Sequence, residues 1–180
     1  FSMQAFAQTP PTTPTVKGSV YGGGRKADVT GNAKVAVVDG YIEKSVYGGN
    51  DISGKTGNSG TDETLYGVRV SGGRVGENVF GGSNGYYGCH DVETSATIGY
   101  TSDFAGDDET VWTSASDHLN IPMISQTYVE INGADVQIDG SVYGGGNLAP
   151  INNSTNKAGK VHVVVKQGTI GTKKFTASDY

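Results

Sequence analysis

Residues 18–24 read GSVYGGG, and residues 140–146 read GSVYGGG again. The same letters return in looser form as Val46-Tyr47-Gly48-Gly49 and Val79-Phe80-Gly81-Gly82, so four copies begin at Val20, Val46, Val79 and Val142, at intervals of 26, 33 and 63 residues. Self-similarity at periods of roughly 20–50 residues marks chains built from stacked equivalent units. The uneven intervals imply units of uneven length, with the last interval holding two units or one unit and an insertion.

A second element precedes three of the copies. The stretches VAVVDGYIEKSVYGG (35–49), VRVSGGRVGENVFGG (68–82) and VEINGADVQIDGSVYGG (129–145) share an alternating apolar run, a Gly-containing break, a short apolar touch and the Val-aromatic-Gly-Gly ending. A fifth start, VHVVVKQGTIGTKKFTA (161–177), carries Phe175 without the glycines. In a strand, successive side chains alternate faces, so Val35 and Val37, or Val68 and Val70, point to one side. A unit with one apolar face cannot bury it alone; parallel stacking of units places equivalent valines above one another and pairs the backbone between units. The glycines are expected at corners, where the chain reverses and φ > 0 is needed. On this reading Tyr21-Gly22, Tyr47-Gly48, Phe80-Gly81 and Tyr143-Gly144 are equivalent repeat corners, and their rings form an aromatic ladder.

Composition agrees. Glycine makes up 29 of 180 residues, with 10 Tyr and only 5 Pro and no Gly at every third position, which excludes a collagen-like or Pro-rich linker. No window shows a sustained helical apolar period. The expected fold is all-β: a parallel β-helix or β-solenoid of about four to five irregular coils with one long insertion. An antiparallel β-sandwich is the alternative, since Gly-rich chains with closely spaced strands also form sandwiches.

The VYGG corners behind VxV strand pairs resemble the glycine-rich parallel β-helix repeats of adhesin-like proteins exported to the cell surface by Bacteroidetes-type bacteria. The resemblance covers residues 16–82 and 128–177. It implies a β-helix and an adhesive or structural role, and it carries no catalytic residue with it.

The chain opens FSMQAFAQTPPTTPT. Small residues at Ala5 and Ala7 before Gln8 match the end of a signal peptide cut after Ala7, so residues 1–7 are expected to be its remnant and 8–15 a Pro/Thr-rich leader into a domain spanning 16–180, which either belongs to a longer repeat array or stacks end to end into a filament. This predicts a secreted, cell-surface or extracellular location. No apolar run approaches the length of a membrane span. The single Cys89 excludes an internal disulfide. Nucleic acid is excluded as a partner because the net charge is −5, the isoelectric point is about 5.1 and the basic residues form no patch.

Between the third and fourth copies, residues 83–127 break the pattern. They contain Asp91, Glu93, Asp103, Asp107, Asp108, Glu109 and Asp117 with no Lys or Arg, and the only Trp, Trp112. Long insertions on repeat folds carry function or lack structure. Asp103, Asp107, Asp108 and Glu109 are hard oxygen donors that suit calcium, but their spacing is unlike an EF-hand, and a solvated acidic loop is the favoured account of them. No other cofactor is expected. Cys89, His90 and His118 are too scattered for a zinc site. Tyr86, Tyr87 and Trp112 are candidate binding residues, because aromatic faces beside carboxylates suit sugar rings.

These features lead to an exported, noncatalytic surface protein, an adhesin-like stalk or a filament or matrix component. Its expected partners are glycans, surface proteins or further copies stacked end to end. The alternative is a carbohydrate-active β-helix enzyme of the polysaccharide lyase or glycoside hydrolase type, with Asp107, Asp108 or Asp117 in the insertion as its acids.

Overall fold

The computed structural model describes residues 13–52, 54–57, 62, 64–85, 89–90, 97–98, 123–147, 149, 151 and 159–172. Among them every regular element is a strand, and the strands lie in mostly parallel sheets curled into a half-barrel. The exception is the pair Cys89–His90 and Thr97–Ile98, which runs antiparallel.

The repeated letters meet in register. Val20–Tyr21 pairs with Val46–Tyr47, which pairs with Val79–Phe80, which pairs with Val142–Tyr143, forming a four-stranded parallel sheet. The stretches upstream do the same: Val35–Val37, Val68–Val70 and Gln126–Ile138 align so that Val35, Val68 and Val129 form one column and Val37, Val70 and Ile131 another. Both columns continue onto Val163 and Val165 of the strand Lys160–Ile170. A third column runs Val16, Ile42, Val75, Ile138 and Ile170. Shorter parallel pairings extend the same register, through Arg25, Asp51, Asn84 and Asn147 and through Val29, Thr56, Ile124 and Ile151.

Alternation explains which residues enter the core. In Val35–Ala36–Val37 the valines are buried and the alanine exposed, and Val68–Arg69–Val70 buries the same two positions. Twelve such residues, including Val46, Val70, Ile131 and Ile138, form one apolar cluster with Val20 and Val142 packed on its ends. Burial of β-branched side chains in columns gives each layer the same contacts as its neighbours, so the core needs no sequence beyond the repeat.

The pattern persists further into the expected insertion than residue 83. Asn84–Gly85 pairs with Asp51–Ile52, and Met123–Ile124 pairs with Lys55–Thr56. The fourth unit is also longer than the third between equivalent positions, and its register shifts between Ile131 and Gln137 absorb the extra residues; Val136 in that stretch joins the core.

The corner glycines turn out to be needed for a different reason from the one expected. Gly22, Gly81 and Gly144 do not have positive φ; instead a Cβ on Gly22 would strike the carbonyl oxygen of Gly48, and one on Gly81 that of Gly144. The backbones of adjacent layers approach too closely for any side chain. Positive φ occurs instead in the break between the paired strands, at Gly40 (93°) and Gly73 (78°).

Candidate functional site

Three surfaces concentrate chemistry-bearing residues: the aromatic column, the outward face of the seven-stranded sheet, and the two ends of the stacked strands.

The aromatic column is the ladder expected from the sequence. Tyr21 stacks on Tyr47 with ring centroids 5.0 Å apart, Tyr47 on Phe80 at 4.9 Å and Phe80 on Tyr143 at 4.8 Å, with all ring planes nearly parallel. The spacing is that of hydrogen-bonded strands, so the backbone imposes the stack. Each internal ring therefore has both faces covered by its neighbours, and burial pushes the phenols of Tyr47 and Tyr21 above their usual range. Only the terminal Tyr143, 47% exposed, is largely open. Polar columns flank the stack. Asn84 donates through Nδ2 to Asp51 Oδ1 (2.9 Å), and Asn147 donates to Asn84 Oδ1 (2.9 Å). The buried Asn50 accepts from the Gly24 amide (2.8 Å) and from Thr56 Oγ1 (2.9 Å) and donates to the Ala27 carbonyl (3.1 Å).

On the outward face, two carboxylates sit among cations. Glu130, 1% exposed, accepts from Arg69 Nη2 (3.1 Å) and Asn132 Nδ2 (3.0 Å) and pairs with Lys166 Nζ (3.5 Å). Burial alone would raise its pKa, but the hydrogen bonds from Arg69 and Asn132 and the charges of Arg69 and Lys166 outweigh it and hold the carboxyl below its usual range. Asp139 accepts from Arg74 through Nε and Nη2, from Gln137 Nε2 (2.8 Å) and from Thr172 Oγ1 (2.7 Å). The Arg74 hydrogen bonds pull its pKa down to about 2.

Both carboxylates are thus ionised and saturated with donors. A general acid needs a proton near neutral pH, and a general base or open metal ligand needs a free lone pair; this arrangement supplies neither. The tyrosines of the face are similarly engaged. Tyr66 lies beneath both Arg69 (3.9 Å) and Lys34 (4.1 Å), Tyr41 beneath Arg74 (5.1 Å), and Tyr128 against His162.

The ends differ. At the C-terminal end, Lys160–Ile170 pairs with Gln126–Ile138 on one edge, and among the described residues its other edge is unpaired. Its Val163 and Val165 stand in core columns yet are 42% and 52% exposed. At the N-terminal end, a hollow of about 210 Å³ opens between Pro14, Val16, Val20, Val35, Val37 and Ile42.

Of the residues singled out in the sequence, the repeat corners Tyr21, Gly22, Tyr47, Gly48, Phe80, Gly81, Tyr143 and Gly144 are brought together. Tyr86, Tyr87, Trp112, Asp103, Asp107, Asp108, Glu109, Asp117 and His118 lie outside the described residues. Cys89 and His90 form a short strand whose side chains are outside the description. The Arg69–Glu130 pair was missed, although aligning VRV (68–70) with VEI (129–131) places the two side by side. No protein-family model, no curated protein and no solved structure matches the chain.

Proposed function

We propose that this chain is a β-solenoid of about five irregular coils, exported to the cell surface, that serves as a noncatalytic adhesin-like stalk or as a filament or matrix component. The observation that carries the reading is the continuity of the columns. Equivalent residues of successive units occupy equivalent positions from Val16 to Ile170, so the units act as a spacer whose length is set by their number. The saturation of Glu130 and Asp139 supports a mechanical part for both: each ties neighbouring layers together from outside, while the valine and isoleucine columns hold them from inside.

Contact with glycans or surface proteins would then come from residues carried by the scaffold, with Tyr86, Tyr87 and Trp112 the candidates. The test is native electrophoresis of the chain through gels containing different polysaccharides, stained for protein and for residual polymer. Retarded migration without loss of polymer, relieved by Tyr86→Ala, Tyr87→Ala or Trp112→Ala, is the expected result for an adhesive stalk. A cleared zone of polymer would overturn the noncatalytic reading.

A further inference from the structure

The chain visits its columns in a fixed cyclic order: Thr15–Val16, Val20–Tyr21, Arg25, Val29, then Val35–Val37, after which the round repeats at Tyr41–Ile42. Val35–Val37 lies level with Tyr41–Ile42, because their partners Val68–Val70 and Arg74–Val75 pair with one strand, Gln126–Ile138, so the first layer, Thr15–Val16 through Val29, offers every column except that of Val35–Val37. The last described layer, Lys160–Ile170, offers that missing column and the Thr15–Val16 column, and among the described residues none of the others. The two ends are complementary parts of one layer.

We infer that the C-terminal end binds the N-terminal end of a second copy of this chain, head to tail. This rests on the layered reading proposed above. In the joined layer the strand Lys160–Lys166 lies beside Val35–Val37 of the next copy, and Val163 and Val165 fill the hollow there. Val20–Tyr21 of the next copy lies on Val142–Tyr143, and Tyr21 covers the open face of Tyr143, continuing the aromatic stack at its own spacing.

Among the described residues one position is claimed twice, by Thr15–Val16 and by Thr169–Ile170. Thr15–Val16 is the segment that yields: it is exposed and is held to the neighbouring strand by the Tyr41 amide on the Pro14 carbonyl (2.8 Å) and the Glu43 amide on the Val16 carbonyl (2.9 Å). Thr169–Ile170 replaces it in the same column.

The occupant is a second copy because the open end is selective. An arriving surface must present a strand edge to pair with Lys160–Ile170, apolar residues in the columns of Val163 and Val165, and a ring above Tyr143. The opposite end of the same chain meets all three, since both ends are sections through the same columns. A long exposed strand edge otherwise invites indiscriminate pairing, which charges at the edge normally prevent. Here Lys166 turns back onto Glu130 in its own chain, and the other lysine, Lys160, stands at the first residue of the strand, outside the stretch that carries Val163 and Val165. The contact uses different surfaces on the two copies and does not close on itself, so it propagates as an open filament.

The experiment is sedimentation velocity of the full chain across a concentration series, with disulfide trapping. Wild-type protein is expected to form a series of species growing with concentration. Val163→Lys/Val165→Lys, both at exposed positions, is expected to remove every species above the monomer while leaving the circular dichroism melt unchanged at concentrations where the wild type is itself monomeric.

In a Cys89→Ser background, chains carrying Tyr143→Cys and chains carrying Tyr21→Cys are oxidised separately and mixed. Adjacent positions in a strand stack lie within disulfide reach, so the mixture is expected to give a crosslinked dimer that neither chain gives alone. A wild-type monomer at every concentration, association untouched by the double lysine variant, or crosslinks only between like chains would each overturn the inference. A monomer that clears no polymer would overturn head-to-tail assembly alone, whereas a filament that clears polymer would overturn the noncatalytic reading alone.

Discussion

Arg74 and Asp139 are 65 positions apart in sequence, yet the guanidinium grips the carboxylate in a two-nitrogen contact, with Nη2 2.6 Å from Oδ2. Arg74 is paired in register with Gln137 on the adjacent parallel strand, and Asp139 follows one residue past that strand's end at Ile138. The arginine reaches past its direct partner, which itself donates to the same carboxylate. The contact ties the third unit to the fourth, and Thr172 ties the fifth to the same acid (2.7 Å).

This geometry fixes a pH dependence. Asp139 has a folded pKa of about 2, below the unfolded value of about 3.9. Its contribution to stability is therefore complete above roughly pH 4 and is lost as the pH falls through about 2. Thermal melts of the wild type are expected to lose midpoint temperature across that window. Asp139→Asn should melt lower at pH 7 and show a shallower acid decline. Arg74→Lys should resemble Asp139→Asn at neutral pH, because an ammonium cannot reproduce the two-nitrogen contact. Parallel acid profiles for Asp139→Asn and wild type would show that the pair contributes nothing.

Within one core column, position along the stack should decide the cost of a truncation. Ile131 is fully buried between Val70 and Val165, whereas Val165 is half exposed in the last layer. Ile131→Ala is expected to cost about 2–5 kcal/mol, or roughly 2–4 °C of Tm per kcal/mol. Val165→Ala should cost less than about 0.5 kcal/mol in dilute solution. Urea melts of both variants at low protein concentration check the contrast; equal losses would mean that the end strand is covered as thoroughly as the centre.

The stacks were legible because matching letters reported matching positions: VYGG at 20, 46 and 142 and VFGG at 79 fall into register residue for residue. The same logic, applied to the outward positions, would have found Arg69 beside Glu130. It would not have found Arg74 beside Asp139, because that contact runs between residues out of register and depends on the reach of an arginine. The extra residues of the fourth unit, around Ala134, Asp135 and Val136, further hide its alignment. The glycines were read as turn formers because sequence reports their presence and not which atom lies opposite. For Gly22 and Gly81 that atom is a carbonyl oxygen of the next layer.

Ile52 has φ of 72°, a left-handed conformation that a β-branched residue rarely takes, and its register partner in the next unit is Gly85. Ile52→Gly and Ile52→Ala remove nearly the same side chain, so comparing them isolates the backbone. At an ordinary strand position Gly is less stable than Ala by roughly 0.5–1 kcal/mol. Here the order should reverse, because the left-handed conformation costs an L-residue with a Cβ about 1–2 kcal/mol. Chemical denaturation of the two variants measures the difference directly, and an alanine variant more stable than the glycine variant would contradict it.

Glycine-to-alanine substitution should divide the glycines by what lies opposite them. A Cβ on Gly81 would meet the Gly144 carbonyl oxygen, Val129 Cγ2 at 2.8 Å and Thr127 Cβ at 3.0 Å, all parts of the adjacent layer that cannot withdraw without breaking the pairing. Gly81→Ala is therefore expected to cost about 1–3 kcal/mol, as overpacking of a filled core does. Gly18 stands at the opposite extreme: nothing lies within 4 Å of its Cβ position, and its φ is outside the left-handed region. There alanine only restricts the unfolded chain, and Gly18→Ala should raise stability by about 0.4–1 kcal/mol. Denaturant midpoints with unchanged m-values would confirm that both act on stability alone. If Gly81→Ala were neutral, the layers could move apart at the corner, and the close backbone approach would not be what requires glycine there.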